Sequence, residues 1–208
     1  MIIKKHWTPR YVYNRTKNYF FEKNNRDLPW LTPDSIRLLN ALIKKSDIGL
    51  EYGSGRSTAW LAKRCKFLTS YEDDKKWYVK VRLQLDKLGV KNTDYFFKES
   101  LTKPAEKTDY VSTIHSFKNE SLDFILIDGN HRGLLALEAI KKIKLGGLLI
   151  VDNIERSLSH KTWSPHSIYG KPEKLTKTWS EFERQISTWR KIMTSNGVTD
   201  TAIFIKRG

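Results

Sequence analysis

Two rhythms of apolar and polar positions alternate along most of the chain. From residue 47 onward, short apolar runs of strand length are separated by stretches with helical spacing. DIGLEY, KFLTSYE, TDYFFKES, SLDFILIDG and LLIVDN read as strands. STAWLAKRC, DDKKWYVKVRLQLDKLG and GLLALEAIKKIKLGG read as the helices among them. SLDFILIDG carries the nearly unbroken apolar run of a strand buried in the middle of a parallel sheet. Ahead of these, LTPDSIRLLNALIKK predicts a helix with Thr32 at its N-cap and Pro33 in its first turn. Ile36, Leu39 and Ile43 share one face there, with Leu42 at its margin and Asn40 interrupting it. Residues 1–31 are aromatic and basic without a clean period, and read as an N-terminal cap with a short helix. After the last buried strand come a long polar stretch from Ile154 to Lys177, a helix over Thr178 to Thr188, and strands at RKIMTS and DTAIFIK.

Strand–helix alternation with short turns predicts an α/β fold, an open and mostly parallel sheet with helices on both faces. Ligands of such sheets bind beyond the carboxyl ends of the strands, where strand order reverses. The polar residues at predicted strand ends are Glu51 to Gly55, Glu72, Glu99, Ser100, Asp128, Asp152 and Asn153.

Composition narrows the class. The 208 residues fit one domain, 1–208, and 39% hydrophobic residues exclude a disordered chain. No apolar run approaches the roughly 18 residues of a membrane span, and the first residues lack a signal-peptide core. Cys65 is the only cysteine, which excludes an intramolecular disulfide and a cysteine metal cluster and suits a reducing cytoplasm. The net charge of +15 favours polyanionic partners, nucleic acid or anionic glycans among them. A solvated lysine-rich surface is the other reading, since no long basic block or zinc-finger spacing appears.

The stretch GLEYGSGRSTAWL carries the first chemistry. Gly53, Ser54 and Gly55 lack the third glycine of a dinucleotide turn, and no phosphate-cradling loop sequence is present. Glu51 would repel a pyrophosphate at this point and suits a cationic group. Here E-x-G-x-G resembles motif I of the class I S-adenosylmethionine-dependent methyltransferases. The resemblance covers roughly Asp47 to Asn153. It implies a seven-stranded Rossmann-like sheet whose last strand is antiparallel, with Asn196-Gly197 as the closing hairpin turn. It also implies that Glu51, Gly53 and Gly55 hold the methionine part of S-adenosylmethionine, with Tyr52, Ser54, Ser57 and Asp128 as further cofactor contacts and Asp128 also catalytic. Glu72 would hold the ribose, with Asp73 as near-equivalent, while Glu99 and Ser100 would lie near the adenine.

LIDGNHRG and IVDN resemble the metal-dependent O-methyltransferases. That resemblance makes Asp128, Asp152 and Asn153 ligands of a divalent cation, Mg²⁺, and makes His131 the base where the group usually has Lys. The change from Lys leans away from catechols. Asp128 and Asp152 also read as ordinary turn caps. In the polar stretch 154–177, a candidate substrate lid, Arg156, Trp163, His166 and Tyr169 are the candidate substrate contacts. The other reading packs those aromatics on the core. The expected function is methyl transfer to an oxygen of a sugar or other small anionic acceptor. An RNA-modifying enzyme and a non-catalytic binding module stay open beside it.

Overall fold

The computed structural model describes residues 7–100 and 104–208, so the first six residues of the predicted cap lie outside the described residues. Helices α1 (Pro9–Asn24) and α2 (Pro33–Leu42) precede strand β1 (Ile48–Tyr52). Then follow α3 (Arg56–Ala62), β2 (Phe67–Glu72), α4 (Lys75–Lys87) and β3 (Thr93–Phe97). The short helix α5 (Asp109–Ser112) leads to β4 (Leu122–Ile127), α6 (Arg132–Lys142) and β5 (Ile143–Asp152). The chain closes with α7 (Lys177–Gln185), β6 (Arg190–Ser195) and β7 (Asp200–Ile205).

The seven strands form one sheet in the order β3-β2-β1-β4-β5-β7-β6. The first five are parallel, and β7 runs antiparallel to both β5 and β6. This is the expected Rossmann-like sheet, and Asn196-Gly197 does turn the hairpin, with Gly197 at φ 76°. Strand order reverses between β1 and β4, which opens the crevice at their carboxyl ends.

Strand alternation divides the core between the two faces. Leu68, Phe124, Leu126, Leu148, Ile150 and Ile203 pack under α2 and α3. Leu50, Tyr52, Ile125, Ile127, Leu149 and Phe204 pack under α6 and α7. On α2, Ile36, Leu39 and Ile43 are buried as read from the sequence. Asn40 does not interrupt their face; it is exposed and accepts from Arg64 Nε at 2.8 Å. Thr32 stands at the N-cap, yet its hydroxyl donates to Ser35 Oγ and pairs with Thr194 Oγ1 rather than with a backbone N–H.

Three boundaries differ from the sequence reading. The cap helix is long, at 16 residues, and lies across the carboxyl-end rim of the sheet: Asn196 donates to Asn18 at 3.1 Å and Arg56 to the Glu22 carbonyl at 3.2 Å. The strand read as TDYFFKES stops at Phe97. Helix α6 stops at Lys142 instead of reaching Gly147. The apolar residues of IKLGG keep a helical spacing, but Ile143 pairs with Leu122 of β4, and the register then jumps so that Leu148 meets Phe124. Gly146, at φ 77°, lets the chain bulge between these pairs. Lys206 Nζ closes the helix end by donating to the Ile140 and Ile143 carbonyls.

Gly49 on β1 lies directly beside Phe124 on β4, and a Cβ there would fall inside the Phe124 ring. Gly49→Ala should therefore destabilise the protein by about 1–3 kcal/mol, read by chemical denaturation. Adding Phe124→Leu should recover part of that loss; equal stability of Gly49→Ala and the parent would refute this packing.

Candidate functional site

The glycine turn after β1 sits against the end of β4. Gly53 has φ 87°, and a Cβ on it would strike the backbone of Asp128 and Gly129. Its N–H donates to the Tyr71 carbonyl at 2.9 Å, while the Asp128 N–H donates to the Tyr52 carbonyl at 2.8 Å. Glycine is required here because two loops meet backbone to backbone.

Glu51 lies beneath this turn and is fully buried. Its Oε2 accepts from Thr58 Oγ1 at 2.7 Å and Ser70 Oγ at 2.5 Å, and Oε1 has no partner among the described residues. Burial pushes the carboxyl up to about 7, against the pull of the Ser57, Ser70 and Thr58 hydroxyls. The Tyr52 side chain, expected at the cofactor, belongs to the core instead, between the Tyr71 and Tyr110 rings. Only its backbone reaches the turn.

Glu72 ends β2 with its carboxylate committed to backbone. Oε2 accepts from the Ser54 N–H and hydroxyl, and Oε1 from the N–H groups of Asp73 and Asp74. Ser54 is further fixed by the Tyr95 hydroxyl and by the Trp77 indole N–H on its carbonyl. Asp73 is the acid that bridges the crevice. Its Oδ2 accepts from Asn130 Nδ2 at 2.6 Å and from the Ser100 hydroxyl. Glu99 is exposed, and residues 101–103 beyond Ser100 lie outside the described residues.

The expected cation set does not assemble into a metal site. The guanidinium of Arg132 stands among its members and uses all five donors. Nε donates to the Gly129 carbonyl, Nη2 to Asp128 Oδ1 at 3.0 Å and to its carbonyl at 2.7 Å. Nη1 donates to Asn153 Oδ1 at 3.0 Å and to the Asp152 carbonyl. The Asp152 carboxylate is buried and held by Thr201 Oγ1 at 2.6 Å. A fixed positive charge within this oxygen set repels a divalent cation, so the residues present do not fit Mg²⁺. No group of three His, Cys, Asp or Glu among the described residues has the arrangement to hold a metal ion.

His131 and Asn153 both have left-handed backbone, at φ 54° and φ 51°. Asn tolerates this conformation, whereas for His it costs about 1–2 kcal/mol. Strain of that kind is sustained where surrounding contacts fix it. His131 Nε2 lies 3.0 Å from the Ser100 carbonyl, an acceptor, so Nε2 carries the proton and Nδ1 the lone pair of the neutral ring. His131 lines a cleft of about 320 Å³ with Ser157, Thr176 and Trp179.

The stretch from 154 to 177 splits the expected substrate residues. Arg156 and His166 share a cleft of about 490 Å³ with Ile168 and Lys174. Trp163 lies elsewhere, against α1, with the Arg10 guanidinium 4.1 Å from its ring centre. Tyr169 is exposed. The aliphatic residues Ile154, Leu158 and Ile168 pack on the core, not the aromatics Trp163 and Tyr169. A buried network missed in the sequence pins this stretch to β7. Asp200 accepts from His160 Nε2 at 2.8 Å and Ser164 Oγ at 2.6 Å, and its N–H donates to Glu155 Oε2. The bond to Asp200 raises the His160 pKa against the effect of burial.

Two expectations follow. Glu51 and His160 both have folded pKa values raised above their unfolded ones, so each stabilises most below its unfolded value and least above its folded value. For Glu51 the loss runs from about pH 4.5 to about pH 7. It amounts to about 3 kcal/mol. Glu51→Gln should flatten that part of the stability profile measured by denaturation at several pH values; an unchanged slope would reject it. Second, chelation with EDTA should leave the Tm of the parent unchanged, while Arg132→Ala should lower stability by on the order of 2 kcal/mol. A Tm that falls with EDTA would restore the metal site.

No family model matches the chain, and no curated protein does. Solved structures do resemble it. A methyltransferase-like protein from Silicibacter pomeroyi DSS-3 aligns with a TM-score of 0.58 at 18% identity, over 87% of this chain and 89% of its own. An rRNA methylase from Streptococcus thermophilus aligns with a TM-score of 0.56 at 13% identity, over 84% and 95%. A Streptococcus mutans protein solved in complex with SAH aligns with a TM-score of 0.53 at 13% identity, over 82% and 94%. The chain thus has the Rossmann-like fold of these methyltransferase structures.

Proposed function

We propose that the chain transfers the methyl group of S-adenosylmethionine to an acceptor oxygen, without a metal ion. One observation carries the reading. An orphaned, buried carboxylate oxygen, Glu51 Oε1, lies under a glycine turn at the strand-order switch point, beside an acid at the rim of the same crevice. That chemistry fits a ligand with an ammonium at one end and vicinal hydroxyls at the other. The SAH carried by the Streptococcus mutans structure supports this ligand class.

In this reading Glu51 faces the ammonium end, and ionises on pairing with it despite its burial. Asp73, rather than Glu72, takes the ribose hydroxyls, because the Glu72 oxygens are spent on backbone N–H groups and Ser54. Glu72 acts by fixing the glycine turn. Bound S-adenosylmethionine supplies an electrophilic methyl: a C–O bond forms as the C–S bond breaks and its electron pair stays on sulfur. The acceptor proton passes to His131 Nδ1, whose ring is oriented by the Ser100 carbonyl. Arg132 keeps Asp128 and Asn153 in place, and so holds the loop that carries His131. Arg156 and Lys174, which share their cleft with His166, form the cationic side of the acceptor region, which suits an anionic acceptor. The stretch 154–177 acts as its lid.

Calorimetry with S-adenosylmethionine tests the assignment. The parent should bind it, and Asp73→Ala should weaken binding about tenfold, the loss of one charge-assisted hydrogen bond. Glu72→Gln should lower the Tm as well as affinity, because it loosens the turn. Unchanged affinity in Asp73→Ala would refute the ribose assignment, and a parent that binds none of the compound would refute the function.

A further inference from the structure

We infer that the cleft between α1, the start of α2 and the β6–β7 turn binds a single-stranded nucleic acid and guides it along α1 toward the methyl-transfer crevice. The inference deepens the function proposed above by naming the anionic acceptor as a polymer, and it rests on that function for what happens at the far end.

The cleft holds about 580 Å³ and is lined by Arg10, Lys17, Arg37, Asn14, Asn196 and Trp163. Arg37 is paired with Asp34, which also lines the cleft, so the groove's excess positive charge comes from Arg10 and Lys17, and Lys17 has no ion-pair partner among the described residues. Trp163 at the cleft, and Tyr13 and Phe20 on the adjoining flank of α1, are each more than half exposed. Rings of this size left in water near cations and amides are the chemistry of base stacking on a charged track. The Asn14 amide offers both a donor and an acceptor, as base edges require, whereas the Asn196 amide is spent on the Val198 and Thr199 N–H groups and on Asn18. The net charge of +15 complements the phosphate chain.

Geometry favours a polymer over a small anion. Arg10 meets Trp163 at one end of α1, and the Glu22 carbonyl meets Arg56 at the other. Twelve helical residues separate these ends by about 18 Å. Beyond Arg56 the track continues over Trp30, at 5.0 Å, to Trp77, whose indole N–H holds the Ser54 carbonyl of the glycine turn. A ligand seated in the cleft reaches the turn only if it is long. A membrane surface fits less well, because Arg15 and Lys17 interrupt the exposed rings and the cleft wall carries the polar side chains of Asn14, Asn18, Asp34 and Asn196.

The test uses the full chain and fluorescent 20-nucleotide single strands of mixed sequence, one RNA and one DNA, read by anisotropy across a salt series. Binding of either strand should weaken linearly in log–log form with salt. Lys17→Glu with Arg37→Glu should reduce affinity at least tenfold and flatten the slope by about 1.4, the share of two phosphate contacts. Trp163→Ala should cost about tenfold, the size of one lost stack. Calorimetry with S-adenosylmethionine should give parental affinity for both variants, which separates loss of the groove from loss of the cofactor site. Strand binding by a parent that takes no S-adenosylmethionine would sink the function and leave the groove standing. Variants that bind both strands as the parent does would overturn the inference. Parental binding to phosphatidylserine vesicles, lost in the same variants while neither strand binds, would also overturn it.

Discussion

One guanidinium determines where the polar ends of the central strands can go. Arg132 opens α6, and its side chain turns back over the ends of β4 and β5. Every donor it has is matched to an oxygen of that rim. Carbonyls at buried strand ends need donors, and here a single side chain supplies them. The glycine turn depends on the result, because Gly53 rests on the Asp128–Gly129 backbone that Arg132 anchors. So does His131, the residue immediately before it.

That arrangement explains why the sheet could be read from the sequence while the chemistry at its rim could be read only in part. Apolar runs with β-branched and aromatic residues announce buried strands, and β1, β2, β4 and β7 follow theirs closely. The start of β5 did not announce itself, because the pairing of Ile143 with Leu122 outweighs a local helical period. The glycine turn was legible because a positive φ and close backbone approach leave few residue types to choose from. Asp128, Asp152 and Asn153 were legible as polar strand ends, but not their partner. An arginine four residues after Asp128 looks like an ordinary first-turn residue; only the fold shows its side chain meeting β5. Likewise Glu72 and Asp73 are adjacent acids in sequence, and only the hydrogen bonds show which one is consumed by the turn. His160 carried no spacing signal, since its partner Asp200 lies forty residues on, across the sheet.

Buried acids recur around the crevice, and each is managed differently. Glu51 keeps one oxygen without a partner, Glu72 is saturated by backbone and Ser54, Asp152 is held by a threonine, and Asp200 by a histidine and a serine. In this highly basic chain Glu51, Glu72, Asp152 and Asp200 are buried, while most of the 23 acids are not. In the function proposed above, these buried acids serve to seat a cationic nucleoside, and the basic residues around them to gather an anionic acceptor.

Helix α1 is seated on that rim by amides more than by apolar surface; Asn18 is its one buried residue, bonded to Glu22 and Asn196. A component fastened in this way adds little to the hydrophobic cores on either side of the sheet. Evolution or an engineer can therefore exchange it, reshaping the approach to the rim, while the sheet beneath keeps its architecture.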